Sequence, residues 1–182
     1  MSRLIYVMGA SGVGKDSLLR ELRQRRPDLL VAHRYITRAS GSGENCVELS
    51  VAEFAWRRER GLFCLAWHAH GLDYGVGIEI ESWLAAGHRV VLNGSRRALS
   101  SARARFGESL VPLLVVADAE VLRQRLLARG RETPAEIEAR LARGGDEEAL
   151  GDIPRLDNGG ELAQSIKAVS YTHLTLPTIY SV

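Results

Sequence analysis

The residue pattern with the clearest chemical meaning is a glycine-rich stretch near the N-terminus that fits G-x-x-x-x-G-K. Glycines permit backbone conformations that other residues avoid, so successive N–H groups can turn towards one centre. Together with the start of a following helix, such N–H groups surround phosphates, and a lysine adds positive charge at the outer phosphates. The stretch therefore predicts a loop that binds a nucleoside triphosphate, formed by Gly9, Ala10, Ser11, Gly12, Val13, Gly14 and Lys15.

The position after this lysine departs from the usual pattern. A Ser or Thr that binds Mg²⁺ is expected there, but the chain has Asp16, and Ser17 comes one residue later. Asp16 could hold the metal directly or through water, or Ser17 could take that role. The guanine-reading pattern N-K-x-D is absent from the chain, which argues against a GTPase. We expect ATP and Mg²⁺ as cofactors of this loop. The alternative to a phosphate-binding loop is a glycine-rich loop that precedes a helix by chance.

Arginine greatly outnumbers lysine, and residues 129–148 are especially rich in it. The planar guanidinium suits bidentate contacts with phosphates, so this bias favours phosphate chemistry. A GC-rich genome would produce the same bias with no functional meaning. The arginine-rich segment predicts an exposed, mobile helical excursion, and such a segment is typical of kinases that close a lid over the phosphoryl donor.

Short apolar runs alternate with amphipathic stretches along the chain. The apolar runs predict buried strands at residues 4–8, 29–32, 62–67, 89–92 and 110–117. The amphipathic stretches predict one helix that ends before Pro27 and further helices at residues 51–60, 79–86, 96–105 and 119–128, the last with Asp118 as its cap rather than as a metal ligand. This order predicts an α/β fold, the three-layer P-loop kinase fold, with a parallel sheet flanked by helices. Residues 34–50 are expected to be irregular and residues 70–75 to form a loop.

The composition sets outer limits on the function. With 182 residues the chain has the length of one domain, and its net charge of +2 does not favour non-specific binding of nucleic acid. Cys46 and Cys64 are the only cysteines, and their spacing predicts neither a disulfide framework nor a zinc site. Because no run approaches 18 apolar residues, we expect no membrane span and a cytoplasmic location.

The last residues differ in character from the rest. Residues 170–182 contain no Asp, Glu, Lys or Arg and resemble translated vector or adapter sequence. We therefore hypothesise that the kinase domain covers residues 1–169 and that the tail is foreign. The alternative is a final edge strand.

Several motifs resemble the guanylate kinase-like branch of the P-loop kinases over nearly all of the chain to residue 169. The resemblance is carried by the glycine loop, Thr37-Arg38 with Glu44, Leu65-Ala66-Trp67 with Tyr74-Gly75, Arg125-Leu126, Arg129-Gly130 and Arg140-Leu141. It implies an acceptor subdomain at about residues 34–80 and a lid at about residues 129–148. It also implies that Arg38 and Tyr74 hold the acceptor, and that Arg129 and Arg140 close on ATP and the transferring phosphoryl group.

Some positions depart from the guanylate kinases. Those enzymes carry a guanine-reading glutamate where this chain has Ala66, and a second phosphate-binding arginine where it has Gly41. A site without the base-reading carboxylate loses discrimination for guanine, so guanylate is a doubtful substrate. Two aspartates of those enzymes are replaced by Asn93 and Ser95.

At these positions the chain resembles the ribose 1,5-bisphosphate phosphokinases of bacterial phosphonate breakdown. Four further strings share this resemblance: Gly-Lys-Asp-Ser-Leu at residues 14–18, His33-Arg34-Tyr35-Ile36-Thr37-Arg38, Trp67-His68-Ala69 and Asn93-Gly94-Ser95-Arg96. The resemblance implies transfer from ATP to ribose 1,5-bisphosphate, giving 5-phosphoribosyl 1-diphosphate (PRPP), with this small phosphosugar as the substrate. On this interpretation the catalytic residues are Lys15, Arg129 and Arg140. The acceptor is held by Arg34, Arg38, Glu44, Tyr74 and Asn93.

Other roles stay open for these residues. Arg38 could be a solvated loop charge, and Glu44 a solvated surface residue. Arg129 and Arg140 could be surface partners of Glu132 and Glu136 on helices. For the whole protein, the alternatives are a guanylate or other nucleoside monophosphate kinase and an inactive guanylate kinase-like interaction module.

Overall fold

The computed structural model describes residues 2–41, 44–130, 132–142, 150–160 and 162–172. Its strands are β1 (Leu4–Gly9), β2 (Leu29–Val31), β3 (Arg34–Ile36), β4 (Cys46–Glu48), β5 (Phe63–Ala69), β6 (Leu72–Gly77), β7 (Arg89–Asn93), β8 (Leu110–Val116) and β9 (Arg155–Asp157). Its helices are α1 (Lys15–Arg25), α2 (Val51–Glu59), α3 (Glu79–Ala85), α4 (Leu99–Phe106), α5 (Ala119–Arg129), α6 (Pro134–Ala142) and α7 (Leu162–Thr172). Among these described residues, no helix is long and apolar enough to cross a membrane.

The main sheet has five strands in the order β2-β7-β1-β8-β9, and every neighbouring pair is parallel. β1 lies at the centre, and its residues alternate between the two faces. Leu4, Tyr6 and Met8 pack against residues of α3 and α4, while Ile5 and Val7 pack against residues of α1, α5 and α7. Helices therefore cover both faces, and the predicted three-layer α/β fold is confirmed.

A second sheet of four strands has the order β4-β3-β6-β5 and lies within residues 34–77. β3 pairs with β4 in parallel and with β6 in antiparallel, and β5 pairs with β6 in antiparallel. Helix α2 covers this sheet by placing Phe54 on Phe63, with ring centroids 4.6 Å apart.

This second sheet corrects two predictions. Residues 34–50 are not irregular, because β3 and β4 lie there, and residues 70–75 are not a loop, because β6 begins at Leu72. β3 and β4 are short strands with polar and half-exposed side chains, so they carry no apolar run that predicts a strand. The turn takes only His70 and Gly71, whose φ values of 53° and 74° suit a two-residue hairpin.

Smaller differences occur at the other helices and strands. The helix predicted from residue 96 begins as a 3-10 turn over Arg96–Ala98, and α4 proper starts at Leu99. Asp118 occupies the N-cap position of α5 but makes no capping hydrogen bond with its side chain. Neither β9 nor α7 is predicted from the sequence. α7 extends to Thr172, so residues 170–172 are helical rather than an edge strand, and residues 173–182 lie outside the described part.

Candidate functional site

The glycine loop connects the carboxyl end of β1 to the first residue of α1. Gly14, at the N-cap of α1, has φ of 96°, a left-handed conformation that glycine adopts without strain. Lys15 follows as the first helical residue, and its Nζ donates hydrogen bonds to the carbonyls of Gly9 and Ala10, at 2.7 and 2.8 Å. The lysine thus folds back along the loop, with its ammonium group at the centre of the predicted phosphate site.

Two side chains from distant parts of the chain support this loop from beneath. Arg125 Nη1 and Asn158 Nδ2 both donate to the carbonyl of Val13, at 3.2 and 2.8 Å. Arg125 Nη2 also donates to the carbonyl of Asn158, at 2.7 Å. Asn158 is almost fully buried, and its Oδ1 accepts a hydrogen bond from Ser165 Oγ at 2.7 Å. Because both Nη atoms of Arg125 and both side-chain polar atoms of Asn158 have partners, these two side chains hold the loop in one position.

Asn158 was not among the site residues predicted from the sequence. It follows β9, which has three residues and only one buried side chain, so no apolar run marks its position. The only signal was a polar and glycine-rich run, Asp157-Asn-Gly-Gly160, which predicts a turn rather than a binding site.

A cavity of about 350 Å³ opens beside the loop, between α5 and the beginning of α7. Its walls include glycines of the loop, Ser17, Arg125 and Arg129. The opposite wall is formed by Asn158, Gly160 and Leu162. The cavity therefore adjoins the phosphate site on the side of the last strand and helix, and its volume is within the range of small-molecule sites.

Positive charge converges on Lys15 from three parts of the fold. Burial is the largest cause that lowers the pKa of Lys15, from 10.5 to about 7, and the nearby charges of Arg34, Arg96 and Arg129 lower it further against the opposing effect of Asp16. Arg34 belongs to β3, Arg96 follows β7, and Arg129 ends α5. A group of cations that disfavour one another's charge is stabilised when an anion binds among them.

Oxygen and amide groups meet on the β7 side of the loop. Asn93, the last residue of β7, donates from Nδ2 to Asp16 Oδ1 at 3.2 Å. Asn93 is 1% exposed, and among the described residues its Oδ1 has no hydrogen-bond partner. A carboxylate beside an unpartnered amide oxygen fits Mg²⁺, which binds few protein oxygens together with phosphates and water. Ser17 lines the cavity instead. The described part of the chain contains no group of three His, Cys, Asp or Glu that could hold a metal ion, so phosphates and water would have to complete this site.

The second sheet presents an arginine on an aromatic stack. The guanidinium of Arg34 lies over the Tyr74 ring, 5.6 Å from its centroid, and Tyr74 stacks on Trp67 at 5.5 Å with 4° between the planes. Arg34 Nε is buried and has no hydrogen-bond partner among the described residues. A buried N–H donor without a partner is costly, so this arginine is well placed to donate to a bound anion.

Arg38 and Glu44 form an ion pair near this stack. Arg38 Nη2 donates to Glu44 Oε2 at 2.8 Å, and Arg38 Nη1 donates to the carbonyl of Ala39 at 2.6 Å. Glu44, Cys46 and Tyr74 together raise the pKa of Arg38 against the opposing effect of burial, which is the largest single influence. Arg38 is thus exposed but not unpaired. Four of the five predicted acceptor residues lie in one region, namely Arg34, Arg38, Glu44 and Tyr74. The fifth, Asn93, lies beside Asp16 instead.

The predicted lid residues are only partly described. Arg129 is exposed and lines the cavity beside the glycine loop. The backbone of Arg140 lies in α6, but its side chain is outside the described part, as are residues 143–149 of the proposed lid. Glu136 Oε2 accepts hydrogen bonds from the backbone N and Oγ1 of Thr133, at 2.7 and 2.9 Å, which cap the start of α6.

Comparison with solved structures places the fold among small kinases. Guanylate kinase from Anaplasma phagocytophilum aligns with a TM-score of 0.73 and 16% identity, over 94% of this chain and 83% of that chain. A gluconokinase from Sinorhizobium meliloti 1021 aligns with a TM-score of 0.52 and 17% identity, over 95% and 93% of the two chains. At these identities the likeness concerns the fold alone.

Sequence relatives are much closer. The family model described as the AAA domain matches residues 5–148. Ribose 1,5-bisphosphate phosphokinase PhnN of Dickeya zeae is 52% identical over 174 residues, which are 92% of this chain and 91% of the relative. The protein of the same name from Desulfomicrobium baculatum is 50% identical over 177 residues, 93% of each chain. Such identity over nearly the full length of both proteins shows that the chain belongs to the ribose 1,5-bisphosphate phosphokinase family, within the P-loop proteins.

Proposed function

We propose that the protein transfers the γ-phosphoryl group of ATP to the 1-phosphate of ribose 1,5-bisphosphate, giving ADP and 5-phosphoribosyl 1-diphosphate. The observation that carries the proposal is the position of Lys15. The charges of Arg34 from the second sheet and of Arg129 from α5 both lie near enough to lower its pKa. A cation at the phosphate loop with arginines on two sides suits a reaction between two phosphates. The relatives that share about half of the residues carry the name of this activity.

The donor is bound by the loop and the adjoining cavity. Backbone N–H groups of residues 9–15 and the ammonium of Lys15 hold the β- and γ-phosphates. The remainder of the nucleotide occupies the cavity of about 350 Å³, whose walls Arg125 and Arg129 help to form. Arg129 then contacts the transferring group, and Arg140 approaches it as the lid at residues 129–148 closes.

Asp16 and Asn93 are proposed to hold Mg²⁺ with the phosphates of ATP. The buried Oδ1 of Asn93 and the carboxylate beside it supply the oxygens that this ion prefers. When bound, the ion neutralises charge on the phosphates. We favour Asp16 over Ser17, because Ser17 lines the cavity rather than the side where Asn93 lies.

The acceptor is proposed to lie between the main sheet and the second sheet. Arg34 donates to the reacting 1-phosphate from its buried Nε, while Arg38 binds the second phosphate. Glu44, paired with Arg38, is placed to accept hydrogen bonds from ribose hydroxyls, and Tyr74 supports Arg34 through its ring. Opening the Arg38–Glu44 pair would therefore accompany binding.

The chemistry requires no proton transfer. The acceptor oxygen is already an anion, so it attacks the γ-phosphorus directly, and the bond from that phosphorus to the β,γ-bridging oxygen breaks as ADP leaves. Catalysis consists of aligning the two phosphates and offsetting their mutual repulsion. We place the reaction in the cytoplasm and assign it to residues 1–169.

The proposal is tested with the purified protein, ATP, Mg²⁺ and ribose 1,5-bisphosphate, followed by phosphorus NMR. We expect a new diphosphate signal on the anomeric carbon and formation of ADP. GMP and AMP in place of the phosphosugar should give no turnover, since Ala66 supplies no carboxylate for a base. Lys15→Met serves as the inactive control, with its fold checked by circular dichroism. Turnover of GMP in preference to the phosphosugar would replace the proposal with a nucleoside monophosphate kinase.

A further inference from the structure

The segment that follows β7 runs beside the phosphate loop. β7 neighbours β1 in the sheet, with Asn93 paired to Val7, and the backbone N of Gly94 donates to the Val7 carbonyl at 2.7 Å. The next residues leave the carboxyl edge of the sheet, which is where ligands bind in open α/β sheets. Arg96 is therefore only three residues from the end of a strand that borders the loop.

The phenol of Tyr6 clamps this segment from beneath. Its hydroxyl accepts a hydrogen bond from the backbone N of Ser95 at 2.9 Å and donates one to the carbonyl of Ser95 at 2.8 Å. Gly94 lies so close to the Tyr6 ring that a Cβ at this position would overlap it. Burial raises the pKa of Tyr6 to about 12, so the hydroxyl keeps its proton and its donor role. The backbone on both sides of Ser95 is thus fixed.

Arg96 directly follows Ser95, whose backbone is fixed in this way. It is the first residue of the 3-10 turn, whose start is capped because Ser95 Oγ accepts from the backbone N of Arg97 at 3.2 Å. Arg96 is half-buried, whereas the neighbouring Arg97 is exposed. Its charge is among those that lower the pKa of Lys15, as is that of Arg34, which also acts on Tyr6. The 3-10 turn that begins at Arg96 also contacts β5, so Arg96 lies beside the second sheet, which carries Arg34.

We propose that Arg96 is a further catalytic residue, which binds the attacking phosphate of the acceptor together with Arg34, and that Tyr6 is the residue that positions it through Ser95. The inference rests on the proposed function, because it assumes an acceptor whose attacking group is a phosphate. A planar guanidinium donates two parallel hydrogen bonds to a phosphate, which fixes orientation as well as charge. Two arginines on one phosphate align it towards the donor and offset its repulsion from the γ-phosphate.

The first test compares Arg96→Gln with Arg97→Gln, a matched control in the same turn. We expect Arg96→Gln to lower kcat/KM for ribose 1,5-bisphosphate by about 100-fold or more, while the affinity for Mg²⁺–ADP changes little. Arg97→Gln should stay within about twofold of the wild-type protein. Arg96→Lys should recover only a small part of the loss, because an ammonium cannot form the paired hydrogen bonds. Near-normal turnover by Arg96→Gln would overturn the proposal.

The second test addresses Tyr6 with a double-mutant cycle. Tyr6→Phe keeps the ring but removes both hydrogen bonds to Ser95, and we expect kcat to fall about tenfold. In the Arg96→Gln background the same change should have almost no further effect on kcat, since there is no guanidinium left to position. A purely structural role of Tyr6 would instead give additive losses in kcat, which would overturn its assignment as a positioning residue.

The outcomes also distinguish a failure of the proposed function from a failure of the inference about Arg96. If the wild-type protein does not phosphorylate ribose 1,5-bisphosphate, the proposed function fails and the inference fails with it. If the wild-type protein is active and the Arg96 variants match it, only the inference fails. Thermal unfolding of each variant shows whether a loss of activity reflects loss of the fold.

Discussion

The side-chain amide of Asn158 donates a 2.8 Å hydrogen bond to the carbonyl of Val13, which lies 145 residues earlier in the chain. Val13 belongs to the glycine loop, and Asn158 directly follows the edge strand β9. The bond therefore couples the phosphate loop to the far edge of the main sheet. Arg125 adds a second donor to the same carbonyl, so the loop is held by both the helix and the strand that flank the cavity.

Removing this amide should weaken both the fold and the binding of nucleotide. Asn158→Ala leaves the Val13 carbonyl with one donor and Ser165 Oγ without its Asn158 partner, so we expect a loss of about 2 kcal/mol in the free energy of unfolding. The affinity for Mg²⁺–ADP should fall as well. Urea denaturation and calorimetric titration measure the two effects. Ser165→Ala is the control, since it keeps the bond to Val13, and it should leave the affinity nearly unchanged.

Gly14 should tolerate no side chain. Its φ of 96° is strained for alanine, and a Cβ would lie 2.6 Å from Asn158 Nδ2. Gly14→Ala should therefore abolish measurable binding of Mg²⁺–ADP. Gly87, with φ of 88° and open space around its missing Cβ, isolates the backbone contribution alone. Gly87→Ala should cost about 1 kcal/mol of stability and leave binding intact. Equal effects of the two substitutions would contradict this account of the loop.

Nucleotide binding should take up a proton at alkaline pH. The pKa of Lys15 in the ligand-free protein is about 7, so at about pH 8.5 most molecules hold a neutral amine. Phosphates favour the ammonium form, and binding therefore draws a proton from the buffer. Calorimetry in buffers of different ionisation enthalpy should give nearly one proton per site at about pH 8.5 and almost none at about pH 5.5. Lys15→Arg keeps its charge throughout and should show no uptake.

The same shift predicts how the stability of the ligand-free protein depends on pH. Between about 7 and 10.5 the unfolded chain holds a proton on Lys15 that the folded chain has lost. Because the unfolded state binds more protons, the contribution of Lys15 to stability rises with pH across this window. Below about pH 7 its unfavourable charge is fully present. Chemical denaturation of the wild-type protein and Lys15→Met should differ more at neutral pH than at about pH 9.5, and the opposite order would show that the pKa is not lowered.

The metal requirement should distinguish Asp16 from Ser17. Asp16→Asn removes the carboxylate that accepts a hydrogen bond from Asn93 Nδ2, so we expect at least a tenfold rise in the Mg²⁺ concentration needed for half-maximal activity. The affinity for Mn²⁺ in the presence of ADP, measured by electron paramagnetic resonance, should fall in parallel. Ser17→Ala should change neither quantity by more than about twofold. A larger effect of Ser17→Ala would transfer the metal to the position that lines the cavity.

Four of the five strands of the main sheet were predictable because they carry their signal locally, whereas β9 was not predicted. Residues 4–8 are buried on both faces and form a continuous apolar run, and the glycine pattern follows at once. In the second sheet only β5 gave such a signal, at residues 62–67. Its strand β3 has one buried residue in three, and half-buried arginine and tyrosine side chains occupy the other positions. The proposed site uses Arg34 of this strand, so at this position binding chemistry replaces the apolar pattern.

Residues whose hydrogen-bond partners lie far away along the chain could not be predicted as site residues from the sequence. Lys15 and the glycines are marked by their spacing, whereas Asn158 and Tyr6 are marked by nothing in their neighbourhood along the chain. Tyr6 appeared as one apolar residue in a buried strand, and its bonds to Ser95 span 89 positions. Only the pairing of β1 with β7 brings these groups together, and pairing between distant strands cannot be predicted from local pattern.

The bond between Val13 and Asn158 has a consequence for biosynthesis. The glycine turn leaves the ribosome long before residue 158, and its Val13 carbonyl lacks one of its two donors until β9 has joined the sheet. A nascent chain therefore completes its nucleotide pocket late, and we expect ATP to stabilise it less before that point. Proteolytic cleavage just before β9 would likewise remove the support that Asn158 gives to the glycine loop, although the cleavage site lies far from that loop in the sequence.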